Sequence, residues 1–134
     1  MDTFSPPMSP EAVNRLSALE LAYLGDTVCD LYVRQKLVSQ GISVHDMHRR
    51  AVSFVNAQAQ ADALARIRSL LSEEEAAMVH RGQNAKAHHA APHGVEQRVY
   101  SQSTAFETLL GALYLTGRTD RLKQLLSIAM EELQ

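Results

Sequence analysis

The sequence predicts an all-α domain, and three observations carry that prediction. Ala and Leu, both strong helix formers, are abundant in a chain with only 6 Gly and 4 Pro, and three of the Pro fall before residue 11. Helix-start signals recur at Ser9-Pro10-Glu11, at Ser17 with Glu20 three residues on, and at Ser72-Glu73-Glu74-Glu75. Each sets a hydroxyl at the N-cap and an acid near the positive end of the helix dipole. Apolar residues fall at helical spacing, as in Ala51, Val52, Val55, Ala59, Ala63 and Ile67. A β-rich chain would need more turn residues and more Val, Ile and Thr.

Residues 1–9 are Pro/Ser-rich and read as a flexible N-terminal arm, with residues 10–134 forming a single domain. A short helix starts at Pro10, where proline's missing N–H does no harm, and ends near Leu16. The next runs from Ala18 to about Val38. Between Ala18 and Val33 only Glu20, Gly25, Asp26, Thr27 and Asp30 interrupt its apolar residues. A helix apolar nearly all round is buried, here in a bundle or against a second subunit. Ser43 opens a third segment, and Asp46 to about Leu71 reads as one long or broken helix. The helix that starts at Ser72 fades around Gly82. Asn84 to Tyr100, with Pro92, Gly94 and three His, is the least structured stretch. Ser103 caps an apolar helix that Thr116-Gly117 stops, and Asp120 to Gln134 closes the chain as an amphipathic helix.

At 134 residues the chain has the length of one domain, enough to bury a core without disulfides or structural metal. Its sole cysteine, Cys29, rules out an internal disulfide and points to a reducing compartment. No basic and apolar leader opens the chain, and no run of about 18 uncharged apolar residues exists, so a cytoplasmic location is expected. The formal net charge is −2. A strongly basic domain would declare a nucleic-acid partner by itself, so any such surface here is local.

The informative anomaly is that the two most apolar helices carry acids in their middles. Asp26 and Asp30 lie one turn apart in LAYLGDTVCDLYV, and Glu107 is the one acid in STAFETLLGALYL. A carboxylate in apolar surroundings needs hydrogen bonds, a cation or a metal. No Lys or Arg lies one turn from Asp26 or Glu107, so pairing along the helix cannot neutralise them. Gly25 adjoins Asp26 and Gly111 follows Glu107 by one turn. Glycine within a helix costs about 1 kcal/mol against alanine. Close approach of two helix backbones, bringing the carboxylates together, would account for both. Two converging carboxylates suit Mg²⁺, which takes oxygen ligands, keeps several waters and is completed by substrate phosphate. Such an ion activates water and stabilises a leaving oxygen in phosphodiester hydrolysis. The plainer reading, that each acid is the narrow wet stripe of an apolar helix, stays open on this evidence. His88, His89 and His93 lack a zinc spacing, Cys29 between apolar neighbours reads as core, and no Ser stands in a nucleophile elbow. The scattered Arg49, Arg50, Arg66, Arg68, Arg81, Lys86 and Arg98 could meet phosphates or simply form a charged surface.

These residues resemble a known family. LELAYLGDTVCDLYVR, Leu19 to Arg34, resembles the signature helix of ribonuclease III nuclease domains, and Ser103 to Leu115 resembles that family's second acidic helix. HRRAVSFVNAQAQA and RGQNAK resemble the middle segments of the Mini-III subfamily, nuclease domains without a double-stranded-RNA-binding domain. The resemblance implies a ribonuclease III-type helical fold and a homodimer. It implies an Mg²⁺-dependent endoribonuclease cutting double-stranded RNA to leave 5′-phosphates. It further implies maturation of large-subunit (23S) ribosomal RNA precursor, where a ribosomal protein is a candidate partner. Asp26 and Glu107 match the family's catalytic, metal-binding acids, and Asp30 and Glu20 are candidates for the outer coordination shell. Arg81, Asn84 and Lys86 are the candidate RNA contacts. Two further acids of full-length ribonuclease III would fall at Ala22 and Thr104, which supports the subfamily assignment. Gln83 and Ser101 stand where the subfamily tends to carry Arg. The alternatives to a duplex-RNA nuclease are a catalytically weak RNA-binding protein, a helical dimerisation module, and a nuclease for another nucleic acid.

Overall fold

A computed structural model describes residues 4–85 and 90–133, and every regular element among them is helical. In chain order they are α1 (Pro10–Asn14), α2 (Ala18–Val38), α3 (Val44–Val55), α4 (Ala57–Ile67), α5 (Glu73–Ala85), α6 (Gln97–Leu115) and α7 (Thr119–Ala129). Short 3-10 turns follow α4 at Arg68–Leu70 and α7 at Glu131–Leu133.

The sequence's capping signals act as read. Ser9 caps α1, and Ser17 and Glu20 form a reciprocal capping box on α2. Ser43 caps α3, and Ser72 with Glu75 closes the same kind of box on α5. The long third segment is broken at Asn56, whose side chain accepts from Ala59 N–H at 2.8 Å and donates to Val52 C=O at 2.8 Å, ending α3 and starting α4 in one residue. At the end of α6, Gly117 takes φ +72° and Arg118 N–H reaches Leu113 C=O at 3.0 Å, the left-handed helix stop that glycine permits.

Boundaries differ from the sequence reading at three helices, and in the last of them α7 ends at Ala129 and gives way to the 3-10 turn Glu131–Leu133 instead of running on towards Gln134. Helix α5 passes through Gly82 to Ala85 instead of fading there. Gly82 is buried, and a Cβ on it would come within 2.8 Å of Ala105 Cα on α6. It is a contact glycine, not a stop. Helix α6 begins at Gln97, six residues before Ser103. Ser103 is buried mid-helix and its hydroxyl turns back to Tyr100 C=O at 3.2 Å, a bond that competes with no cap.

Helix α6 is the axis of the domain. Leu109, Leu110, Phe106 and Ala105 on it are at most 1% exposed, and α2, α4 and α5 pack around it. The α2–α6 crossing is antiparallel and made by glycines. A Cβ on Gly25 would collide with the carbonyl oxygen of Glu107, and one on Gly111 would collide with that of Leu21. The Thr108 hydroxyl bridges the crossing, its hydrogen shared between Thr104 C=O at 2.8 Å in its own helix and Ala18 C=O at 3.2 Å. One face of α2 is therefore sealed by Leu21, Gly25, Val28, Cys29 and Val33, while Tyr23 and Leu31 on the other face stay exposed.

A buried ion pair ties α5 to α7. Glu75, 3% exposed, accepts from Arg121 Nε at 2.9 Å and Nη2 at 2.8 Å, with Arg118 3.9 Å away. Arg121 also donates to Leu70 C=O at 2.7 Å. The bidentate Arg121 bonds, against the opposing effect of burial, hold the Glu75 carboxyl at about 2.

Two stability predictions follow from these contacts. Gly25→Ala should destabilise the fold by about 3 kcal/mol or more, because the added methyl meets rigid backbone that cannot give way; a denaturant midpoint equal to wild type would refute the crossing as described. Glu75 has a folded pKa below its ordinary 4.5, so its contribution is full above pH 4.5 and lost as pH falls towards 2. That contribution amounts to about 3 kcal/mol. Urea unfolding at pH 7 and pH 3 should show wild type losing clearly more stability than Glu75→Gln across that interval, and equal losses would rule the pair out as its source.

Candidate metal and RNA site

The glycine crossing that builds the fold also builds the site. Gly25 presses on the backbone of Glu107, so Asp26, the next residue on α2, and Glu107 on α6 start from one point of backbone contact. Asp26 is exposed and Glu107 half-buried. Between them and the core lies Cys29, fully buried. Burial pushes its thiol up to about 12; the hydrogen bond from Gln60 opposes that, while the charges of Glu107, Asp26 and Asp30 add to it. A single thiol thus senses all three acids, which the sequence alone could only place on separate turns.

Asp30 is half-buried and bonds Arg34 Nε at 3.1–3.2 Å, an i,i+4 surface pair of small energetic weight. Glu20 sits at the start of α2, where its Oε1 accepts the Ser17 N–H at 2.9 Å and that bond lowers its pKa. Its carboxylate is engaged in the cap, six residues and more than a turn and a half from Asp26. Arg81 is turned inward, donating to Leu16 C=O at 2.6 Å and to Met78 Sδ at 3.5 Å, so it braces α5 against the α1–α2 junction. Asn84 is exposed at the end of α5 and shares a 3.0 Å hydrogen bond with His80. Lys86, His88 and His89 lie outside the described residues. Ala22 and Thr104, each about one turn before one of the paired acids, are buried at 7% and 2% exposure, and Thr104 Oγ1 donates to Tyr100 C=O at 3.0 Å.

Sequence reading missed Gln60. It is 3% exposed on α4, and its amide Nε2 reaches Glu107 Oε2 at 3.5 Å and Cys29 Sγ at 3.8 Å. The only signal was a polar residue in register with the buried Ala63, Leu64 and Ile67.

The donor set suits a hard cation. The two carboxylates offer oxygen ligands, the Gln60 amide turns its N–H towards Glu107, and the soft sulfur of Cys29 is fully buried. Among the described residues no group of three His, Cys, Asp or Glu forms a metal cage. A cation here would keep waters and take further oxygens from a substrate, the habit of Mg²⁺.

Comparison with known proteins places the chain among characterised relatives. The ribonuclease III domain family matches residues 19–118. The chain is 44% identical to Mini-ribonuclease 3 of Thermoanaerobacter sp. (strain X514) over 128 residues, covering 95% of this chain and 89% of that protein. It is 43% identical to Mini-ribonuclease 3 of Symbiobacterium thermophilum over 117 residues, covering 87% and 89%. The crystal structure of protein FN1578 from Fusobacterium nucleatum superposes with a TM-score of 0.81 at 27% identity, covering 91% of this chain and 98% of that one.

Proposed function

This chain belongs to the ribonuclease III family of endoribonucleases, with Mini-ribonuclease 3 proteins as its relatives, and on that premise we propose that Asp26 and Glu107 hold Mg²⁺ against a phosphate of double-stranded RNA. The observation that carries this reading is the Gly25–Glu107 contact, which gives two acids on distant segments a common origin. A bound Mg²⁺ would supply Lewis-acid activation of water and relief of charge on the leaving oxygen. Glu107, half-buried beside Gln60, is the fixed ligand, and the exposed Asp26 is the one open to substrate. Asp30 helps from the outer coordination shell through water. Asn84 and Lys86 contact phosphates, while Arg81 offers RNA only the donors it has not turned inward. A-form RNA is recognised by shape, 2′-OH and phosphate contacts, so the modest net charge of −2 is no obstacle once cations offset the acids.

The substrate we propose is large-subunit ribosomal RNA precursor in the cytoplasm; among the described residues no helix is long and apolar enough to cross a membrane. The working form is a homodimer. Tyr23 and Leu31 are 86% and 57% exposed on the outer face of α2. Leu31 also lines an apolar groove of about 700 Å³ together with Val28, Tyr32, Tyr114, Leu122 and Leu126, and the lining includes neither Asp26 nor Glu107. Two copies meeting there would cover apolar surface and leave both sites open to one duplex.

Wild type with Mg²⁺ should cut a long RNA duplex, and chelator should stop it. Asp26→Asn and Glu107→Gln, both folded by circular dichroism, should lose about 100-fold or more, since a metal contributes several kcal/mol to such a reaction and about 1.4 kcal/mol is tenfold. Buried Ala22 and Thr104 in place of acids favour a second reading, a weak nuclease that binds RNA. Folded wild type that binds but fails to cut both duplex and structured ribosomal precursor would establish that reading instead. Sedimentation equilibrium should report a dimer, and Leu31→Lys should weaken it about tenfold or more by placing charge in an apolar contact; a monomeric wild type would end the dimer proposal.

A further inference from the structure

We propose that Gln60 is a positioning residue, its buried amide orienting the Glu107 carboxylate for a divalent cation through the 3.5 Å bond to Oε2. The inference rests on the reading of Asp26 and Glu107 as the cation-holding pair.

Gln60 is a residue type out of place. Gln60 shares its face of α4 with Ala63, Leu64 and Ile67, all at most 1% exposed. An apolar side chain would fill that position without cost. A buried primary amide is tolerated when its N–H groups find acceptors. Here one Nε2 serves two: Glu107 Oε2 on α6 and Cys29 Sγ on α2 at 3.8 Å. Three helices are thereby joined behind one carboxylate. The sulfur is fully buried, so the amide is anchored on its core side by a group that does not reach solvent. Towards the surface it meets one of the two acids of the proposed site.

The chemistry of the donor matters. A Lys or Arg in this place would fix Glu107 by pairing with its charge and would compete with a cation for it. An amide N–H fixes one oxygen and leaves the net charge intact. At 3.5 Å the bond is longer than an ordinary amide–carboxylate bond and adds little to stability. Hydrogen-bonded partners of ligating carboxylates act in this way, and losing one typically weakens metal binding about 10- to 100-fold.

The test uses Gln60→Met, which keeps length and helix propensity and removes both amide hydrogens. Mn²⁺ binding to RNA-free protein is followed by the electron paramagnetic resonance signal of free Mn²⁺, beside thermal unfolding. The expected result is binding weakened about 10- to 100-fold at an unchanged or raised Tm. Wild-type affinity in the folded variant would overturn the proposal and leave Gln60 a packing residue. Glu107→Gln is the companion variant. If it too binds Mn²⁺ like wild type, the cation-holding pair itself is wrong. If it loses binding while Gln60→Met does not, only the positioning role fails. A variant that does not fold leaves the wild type to decide. The Gln60 side-chain amide signals in a ¹⁵N-labelled sample should move on addition of Mg²⁺, and stationary signals would also overturn the proposal.

Discussion

The structure depends on two glycines that let α2 and α6 touch backbone to backbone. Gly25 admits the carbonyl of Glu107, and Gly111 admits that of Leu21 one turn further along the antiparallel pair. In isolation each glycine weakens its helix by about 1 kcal/mol relative to alanine. Together they allow an approach that any side chain would forbid. The core follows from that approach: Leu21, Cys29, Phe106 and Leu110 are sealed around the crossing, and α4 and α5 close its sides. The site follows from it as well, because the residue after Gly25 is Asp26 and the carbonyl that Gly25 meets is that of Glu107. Fold and site share one constraint, so neither can drift without the other.

The molecule treats its acids in two ways. Glu75 is removed from solvent and bound in bidentate fashion by Arg121, with Ser72 completing its hydrogen bonds. That carboxylate serves the joint between α5 and α7. At the α2–α6 crossing the acid's buried neighbour is instead a neutral amide, Gln60, and the next polar atom inward is a protonated thiol. A guanidinium there would have settled the charge internally. The amide binds a carboxylate oxygen without bringing a charge of its own, which fits an endoribonuclease of the ribonuclease III family, whose members are generally divalent-metal dependent.

The reduced acid set has a structural counterpart. Ala22 and Thr104 both face the packed interior, and Thr104 returns its hydroxyl to its own helix. These two positions are given to packing, while Asp26 and Glu107, about one turn on, stand nearer the surface. The outer face of α2 is the converse case. Tyr23 and Leu31 continue the apolar pattern of the helix beyond what the rest of the chain covers. The same helix therefore supplies a core face, an acid and an uncovered apolar face around its circumference, which explains why its sequence is apolar nearly all round.

What the sequence determined by itself was set by interactions spanning three or four residues. The caps at Ser9, Ser17, Ser43 and Ser72, the all-helical class and the two acids standing in apolar helices are of this kind, and each was legible without any partner segment. The glycines beside those acids even hinted at the crossing. Other features needed the packed molecule. Gly82 looked like a helix end, and its meaning as a contact with Ala105 exists only once α5 meets α6. Ser103 had the composition of a cap but lies inside a helix that starts at Gln97 and is held to the core from Val99 onward. Arg81 looked like a free cation, yet its guanidinium is held by a carbonyl 65 residues earlier. Gln60 read as one more polar residue in an Ala/Gln run, and its place behind Glu107 comes from a partner 47 residues away. Local hydrogen bonds are written in sequence spacing, whereas what a buried side chain touches is fixed only when distant helices close on it.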